Sequence, residues 1–123
     1  MKITVYTDGS ARGNPGPGGY GIAMKAGEHY REISEGFRHT TNNRMELLSV
    51  IVALESLKRP GMEVTIYSDS KYVVDAVEKG WVFSWVKKNF KDKKNPDLWK
   101  RFWRSTPSTR LSSSGCVVIT AMP

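Results

Sequence analysis

Two short segments of alternating apolar and polar residues each end in an aspartate. The first covers residues 3–8 (ITVYTD) and the second covers residues 64–69 (VTIYSD). A segment with helical periodicity lies between them and carries Glu46 near its start. If the two segments are parallel neighbouring strands, Asp8 and Asp69 reach the edge of the sheet where ligands bind in open α/β folds. Three carboxylates there would repel each other without cations, so the pattern predicts a divalent-metal site.

The chemistry of such a site follows from its ligands. Mg²⁺ takes a few carboxylates and keeps several waters, and two ions about 4 Å apart can activate a water and stabilise the leaving oxygen in phosphodiester cleavage. Each of these residues taken alone is more typical of a helix cap or a turn. The convergence of Asp8, Glu46 and Asp69 through one topology favours the catalytic and metal-binding interpretation.

The elements that must position these carboxylates can be read from the periodicity. We predict strands over 2–8, 19–26, 29–37 and 63–68, helices over 43–58, 71–79 and 81–88, and a further helix beginning at 95–97. Residues 9–18, rich in Gly and Pro, are predicted to be a loop. The expected fold is α/β: a three-strand antiparallel meander, with strand 63–68 parallel to strand 2–8 after a right-handed helical crossover, and helix 43–58 packed on one face.

Composition limits the class of protein. At 123 residues the chain is long enough for one domain with one core. No apolar run is long enough to span a bilayer, Met1 leads directly into a strand, and Cys116 is the only cysteine. We therefore expect a cytoplasmic protein that is a monomer and does not contact a membrane. The net charge of +7 favours a polyanionic partner.

A cluster of small hydrogen-bonding side chains stands beside Glu46, namely Thr41, Asn42, Asn43 and Arg44. Side-chain amides donate and accept, which suits the minor groove of an A-like helix with its 2′-hydroxyls and base edges. N-capping of helix 43–58 is the alternative and is compatible with that role. The glycine-rich loop lacks the Gly-Lys-Ser/Thr ending of a phosphate-binding loop. Its glycines instead favour close approach to a bulky ligand, with Asn14 projecting towards it.

Residues 81–104 form a basic segment with interleaved aromatic residues. Only Asp92 and Asp97 oppose its cations, which are Lys87, Lys88, Lys91, Lys93, Lys94, Lys100, Arg101 and Arg104. Basic residues that alternate with Trp81, Trp85, Phe90 and Trp99 are typical of a groove for a nucleic-acid backbone. A solvated charged face with tryptophans in the core is the alternative.

These motifs resemble the type 1 ribonuclease H family of cellular enzymes over residues 1–102. The resemblance rests on YTDGSARGNPGPGGYG, TTNNRMELLSVIVALESL and IYSDSKYV, and WVFSWVKKNFKDKKNPDLWKRF is similar to the basic protrusion of that family and its following helix. The resemblance implies a ribonuclease H-like sheet and an enzyme that cuts the RNA strand of RNA–DNA hybrids with Mg²⁺ or Mn²⁺.

The resemblance also implies roles for individual residues. The first three metal-binding carboxylates of the family fall on Asp8, Glu46 and Asp69. Its nucleic-acid contacts fall on Asn14, Thr41, Asn42, Asn43, Arg44, Lys71, Trp81, Trp85, Lys87 and Lys88.

The last part of the chain departs from the family. The family continues with a fifth strand, a Gly-His-x-Gly-His loop, a fourth metal-binding Asp and a last helix. Residues 103–123 contain no Asp or Glu, and the only histidines, His29 and His39, match neither histidine of that loop. Although the apolar patch 116–119 is compatible with a strand, we expect the fifth strand and the last helix to be missing or degenerate. This divides the chain into a ribonuclease H-like domain, 1–102, and a non-family tail, 103–123.

A shift of reading frame would explain this tail. Codons for residues 102–123 can be chosen so that a frame shifted by one base reads FLEIYPQHQVEFIWVRGHNGHA, which contains a strand-like segment and a Gly-His-x-Gly-His loop. Our hypothesis is that the tail is a frameshifted reading, and the nucleotide sequence at the codon for Phe102 tests it.

Three functions are then compatible with the sequence. The first is a hybrid-specific endoribonuclease whose activity is impaired, and the second is a hybrid-binding module that cannot cut. A different nuclease or a transposase of the same general fold is disfavoured, because both the cluster Thr41 to Arg44 and the basic segment are present.

Overall fold

The computed structural model describes residues 2–57, 63–105 and 117–122. Their sheet has five strands in the order β3-β2-β1-β4-β5. The elements in chain order are β1 (Lys2–Ala11), β2 (Gly16–Ala26), β3 (His29–Thr40), α1 (Asn42–Ser56), β4 (Glu63–Ser68), α2 (Lys71–Glu78), α3 (Trp81–Lys87), α4 (Pro96–Ser105) and β5 (Val117–Ala121).

The predicted mixed sheet is confirmed. β1 pairs antiparallel with β2, and β2 pairs antiparallel with β3. β4 lies parallel to β1, with Tyr6 opposite Tyr67 and Thr7 opposite Ser68. Since both strands run in the same direction and in this register, Asp8 and Asp69 follow at the same edge of the sheet.

The fifth strand, which we expected to be missing or degenerate, is present in a short form. Val117–Ala121 pairs parallel with β4, and the Met122 amide donates to the Ser68 carbonyl at 3.3 Å. Ile119 supplies the buried side chain, only 3% exposed, that this position at the sheet requires. Residues 106–116, which include most of the predicted tail, lie outside the described residues.

The glycine-rich segment is mostly strand rather than the predicted loop over 9–18. β1 continues to Ala11 and β2 begins at Gly16. A Cβ on Gly18 would lie 2.4 Å from the Ser10 carbonyl oxygen, and one on Gly19 would lie 2.7 Å from that of Glu35. Only glycine permits this close antiparallel approach, so residues that indicate a loop by composition form strands here.

Helix α1 is buried around most of its circumference, because it packs against β1, β2 and α4. Its core side chains include Leu47, Val50 and Ile51, each 0% exposed. The side chain of Thr41 caps its first turn by accepting from the Arg44 amide at 3.2 Å. Trp99 of α4, also 0% exposed, fills the space beside it. No helix among the described residues is both long and apolar enough to cross a membrane.

Candidate active site

The three predicted carboxylates converge at the edge of the sheet. Ligand oxygens of Asp8, Glu46 and Asp69 all lie within 4.8 Å of one another. Asp8 belongs to the central strand β1, Asp69 directly follows β4, and Glu46 comes from the second turn of α1. Asp8 and Asp69 are exposed, whereas Glu46 is buried. The cluster therefore opens to solvent on the side of the two aspartates.

Gly9 allows the helix to approach the strand so closely. A Cβ at this position would lie 2.5 Å from the carbonyl carbon of Met45 and 2.7 Å from the amide nitrogen of Glu46. Any other residue would push the start of α1 away from β1, and Glu46 with it. Our sequence-based reasoning missed this role, although a glycine directly after the first aspartate was the available signal.

The environment of Glu46 fits a bound cation. Its Oε1 is buried and accepts no hydrogen bond from the described residues. The pKa of Glu46 is raised to about 8, chiefly because burial desolvates the carboxylate, and then because a hydrogen bond to the Asp69 carboxylate and the negative charge of Asp69 favour the protonated form. The backbone N–H of Gly9 acts in the opposite direction. A buried acceptor without a donor, beside two further carboxylates, is the oxygen donor set that Mg²⁺ or Mn²⁺ takes.

The asparagines near the site hold the β1–β2 connection against the start of α1. The Oδ1 of Asn42 accepts from the Ala11 amide at 2.6 Å, and the Asn42 amide donates to the Oδ1 of Asn14 at 3.2 Å. Both side-chain oxygens are thus used internally. The two side-chain NH₂ groups are left as the donors that a ligand can meet. Asn43 is exposed beside them, and Thr41 is half-buried as the helix cap.

The Arg44 side chain is bound by other side chains of this protein. It makes a bidentate contact with Asp97 at 2.7 and 3.1 Å and also donates to the Oδ1 of Asn95 at 3.0 Å. This pairing raises the pKa of Arg44 and lowers that of Asp97. Asn95 in turn donates to the Tyr72 hydroxyl, which also accepts from the indole N–H of Trp99. Arg44 therefore connects α1 to α2 and α4, and its predicted contact with nucleic acid stays a prediction.

The basic segment is divided between surface and core. Trp81 is 45% exposed, with the Lys79 ammonium over its ring at 5.1 Å. Trp85 is half-buried and packs edge-on against Trp99 at 5.2 Å between ring centroids. The predicted contacts Lys71, Lys87 and Lys88 are exposed. Lys87 and Lys88 thus face solvent, while Trp85 and Trp99 belong to the core, as the alternative interpretation had suggested for the tryptophans.

Comparison with known proteins identifies relatives of this arrangement. The sequence model of the RNase H family matches residues 1–112, ten residues past the boundary that we placed at 102. Ribonuclease H of Desulforamulus reducens is 55% identical over 105 residues, which are 81% of this chain and 65% of that protein. The chain spans between 60% and 71% of the length of such curated relatives.

Solved structures agree with the sequence comparison. The crystal structure of LC9-RNase H1, a type 1 RNase H with the type 2 active-site motif, has a TM-score of 0.77 at 28% identity and covers 98% of this chain and 62% of its own. The structure of LC11-RNase H1 in complex with RNA/DNA hybrid has a TM-score of 0.64 at 28% identity and covers 98% and 85%.

Proposed function

The chain belongs to the ribonuclease H family, and on this premise we propose that it is an endoribonuclease that cleaves the RNA strand of RNA–DNA hybrids. The proposal rests on one observation above all, the convergence of Asp8, Glu46 and Asp69 within 4.8 Å around a buried oxygen that has no donor among the described residues. The hybrid bound to LC11-RNase H1 supports the choice of substrate.

Divalent ions at this cluster, Mg²⁺ or Mn²⁺, would supply an activated water and neutralise charge at the scissile phosphate. The residues divide the work of holding them. Asp8, on the central strand, would contact both ions. Glu46 and Asp69 would hold one side, Glu46 from beneath the cluster and Asp69 from its exposed rim.

Recognition of the hybrid falls to the residues around this cluster. The side-chain NH₂ groups of Asn14 and Asn42 suit acceptors in the minor groove, because both Oδ1 atoms already accept backbone N–H groups. Asn43 and Lys71 are exposed beside them. Trp81, Lys87 and Lys88 would contact the backbone of the DNA strand from the basic segment. We place this activity in the cytoplasm and assign it to a monomer without a membrane partner.

A catalytically inactive hybrid-binding module is the second candidate. It is favoured by the composition of residues 103–123, which contain no Asp or Glu and so offer no fourth carboxylate. Both candidates bind nucleic acid with the same residues. They differ only in whether Asp8, Glu46 and Asp69 support cleavage.

Incubation of the 123-residue chain with a hybrid carrying end-labelled RNA, in Mg²⁺ and in EDTA, separates the candidates. The endoribonuclease produces internal RNA fragments in Mg²⁺ only, and Asp8→Asn abolishes them. The binding module shifts the hybrid on a gel without cutting it. Equal binding of hybrid and duplex DNA would contradict both and favour a nuclease or transposase of another specificity.

A further inference from the structure

Buried hydroxyl groups lie next to the carboxylate cluster in the sequence. Thr7 directly precedes Asp8 and is 1% exposed. Ser68 and Ser70 stand on either side of Asp69, and they are 0% and 8% exposed. Because burying a hydroxyl without a hydrogen-bond partner is unfavourable, the partner of each group indicates what it does in the fold.

Ser68 stands at the end of a buried apolar row. Val64 and Ile66 occupy the two preceding buried positions of β4, and both are almost inaccessible to solvent. A third apolar side chain at position 68 would continue the core and would bury more apolar surface than a serine does. Packing alone therefore does not explain the serine at this position.

The hydrogen bond of the Ser68 hydroxyl spans Asp69. Its Oγ accepts the backbone N–H of Ser70 at 3.1 Å, and the bond is buried. It closes a small ring that contains the Asp69 backbone, so it restricts the backbone angles that set the direction of the Asp69 side chain. Alanine at position 68 would leave the backbone free of this restraint.

Both ends of this ring are fixed by further hydrogen bonds. On the strand side, Ser68 lies on β4 between β1 and β5, and its carbonyl accepts from the Met122 amide at 3.3 Å. On the helix side, the Oγ of Ser70 accepts from the Val73 amide at 3.3 Å and caps α2. The turn that carries Asp69 is thus held between an interior strand and the start of a helix.

The buried hydroxyl of β1, on Thr7, provides a contrast. Its Oγ1 donates to the Tyr67 carbonyl on the neighbouring strand at 3.4 Å, and this bond does not span Asp8. Asp8 is held by the strand itself, because β1 continues beyond it. Asp69 lies beyond the last residue of β4, so its orientation depends on the turn.

We propose that Ser68 is a positioning residue of the metal site, whose hydroxyl holds the Asp69 carboxylate where its oxygen lies within 4.8 Å of those of Asp8 and Glu46. The inference rests on the cluster assigned under the proposed function. The Asp69 side chain is exposed, so burial does not hold it in place. A ligand that is already oriented before the ion arrives costs less to order, and the ion binds more tightly.

Titration with Mn²⁺, followed by the electron paramagnetic resonance signal of the free ion, tests this role without a substrate. We expect Ser68→Ala to bind Mn²⁺ about tenfold more weakly than the unmodified 123-residue chain, an effect typical of groups that orient a metal ligand. Ser68→Thr keeps the hydroxyl acceptor and should bind Mn²⁺ as the unmodified chain does. Thr7→Val is the matched control, since it removes a similarly buried hydroxyl next to a carboxylate, and it should leave the affinity unchanged.

A double-mutant cycle shows whether Ser68 acts through Asp69. In the Asp69→Ala background no carboxylate is left to orient, so Ser68→Ala should cause no further loss of Mn²⁺ affinity. The weaker binding by Asp8 and Glu46 alone is measured at higher protein concentration. An equal loss in both backgrounds would assign Ser68 a general effect on the fold and would overturn the proposal.

Urea unfolding of the same samples in EDTA separates orientation from stability. If Ser68→Ala is less stable but binds Mn²⁺ unchanged, the hydroxyl is only structural and the proposal is wrong. If Ser68→Ala does not fold, Ser68→Cys takes its place, because a thiol keeps the shape of the side chain and is a weak acceptor. Ser68→Cys should weaken Mn²⁺ binding several-fold, and unchanged binding would overturn the proposal.

The behaviour of the unmodified chain identifies the cause of a failure. If it does not bind Mn²⁺, the carboxylate cluster of the proposed function is wrong, and the role of Ser68 is wrong with it. If it binds Mn²⁺ with an affinity that does not depend on the residue at position 68, only the positioning role is wrong and the proposed function stands.

Discussion

Gly9 and Gly21 sit on the same pair of strands but tolerate a side chain very differently. A Cβ at Gly9 would overlap the backbone of Met45 and Glu46 at 2.5–2.7 Å, whereas one at Gly21 would meet nothing within 4 Å. Gly9→Ala should therefore destabilise the fold by about 1–3 kcal/mol, the usual cost of overpacking, and displace Glu46 from the cluster. Thermal unfolding with and without Mg²⁺ measures both effects. Gly21→Ala, the control, should not lower the unfolding temperature and should leave its Mg²⁺ dependence unchanged, because the added Cβ meets nothing within 4 Å. Equal behaviour of the two variants would contradict the role of Gly9.

The buried carboxylate of Glu46 destabilises the fold, and we expect a bound cation to remove this destabilisation. Its Oε1 is buried without a donor among the described residues, and the neighbouring Asp69 is a second carboxylate. An unsatisfied buried acceptor costs about 1–3 kcal/mol. Above pH 8, where Glu46 is charged, Glu46→Gln supplies a donor and removes that charge, so in this pH range we expect it to unfold at a higher temperature than the unmodified chain in EDTA. The same variant should lose the stabilisation by Mg²⁺ that the unmodified chain shows.

The control for this prediction is Glu78→Gln, which changes an exposed carboxylate at the end of α2. It should leave both quantities unchanged. If Glu46→Gln is less stable than the unmodified chain in EDTA, the Glu46 carboxylate has a stabilising partner that the geometry does not show, and the prediction is wrong.

At the scale of elements, the ion pair of Arg44 with Asp97 holds the start of α1 against the start of α4. The pair lowers the pKa of Asp97, so its contribution is present above the unfolded-state pKa near 4 and is lost as pH falls through the lower folded-state pKa. The Asp97 side chain is 61% exposed, which limits the contribution to about 1 kcal/mol or less.

Asp97→Asn should accordingly lower the free energy of unfolding at pH 7 and have no effect near pH 2. Urea denaturation at both pH values measures this. Asp92→Asn, an exposed aspartate of the preceding loop, is the control. A difference between Asp97→Asn and the unmodified chain that persists at pH 2 would contradict the electrostatic origin.

The exposed lysines of the basic segment predict a salt dependence of hybrid binding. Lys87 and Lys88 end α3 and are exposed, with no ion pair among the described residues. If they contact phosphates, replacing both with Ala should reduce the slope of log K against log salt for hybrid binding by about two units. Lys2 and Lys25, exposed on β1 and β2, provide a control pair of equal charge. Equal effects of the two pairs would mean that the segment acts only through net charge.

Local sequence patterns predicted which helices and strands form better than they predicted the residues at which these elements begin and end. β4 occupies the predicted residues 63–68, because alternating apolar residues are bounded there by a helix stop and by Asp69. The predicted loop 9–18 was wrong over most of its length, since its glycines are explained by contacts with residues distant in sequence, such as Glu35. The partners of Arg44 were missed for the same reason. The ion pair joins residues 53 positions apart, and the periodicity of a local segment cannot predict a contact over that separation.

The carboxylate site was predictable for a different reason. Parallel pairing of β1 with β4 brings Asp8 and Asp69 together through topology alone, and the sheet was inferred from element order. The raised pKa of Glu46 was not predictable in this way. It depends on how deeply α1 settles on β1, which Gly9 decides.

On the scale of the whole molecule, the last residues of the chain are the part that its relatives explain least. β5 completes the sheet beside β4, yet residues 103–123 contain no Asp or Glu. Because the family model reaches residue 112, the boundary at 102 and the non-family tail stay predictions. The shifted reading frame proposed for the tail would replace it with FLEIYPQHQVEFIWVRGHNGHA from Phe102 onwards.

The sequence read in the shifted frame should raise the rate of hybrid cleavage. Asp8, Glu46 and Asp69 alone would hold a second divalent ion weakly, and loss of even the supporting groups around a metal commonly costs 10–100-fold in affinity or activity. We therefore expect the 123-residue chain to cleave hybrid at least about 100-fold more slowly than a chain extended in the shifted frame through the end of its gene. Initial rates on labelled hybrid at matched folded concentration measure this. Higher Mn²⁺ should recover part of the rate in the 123-residue chain, and Asp8→Asn should remove the activity of both. If the two chains cleave equally fast, three carboxylates suffice and the inferred weakness of the second ion is wrong.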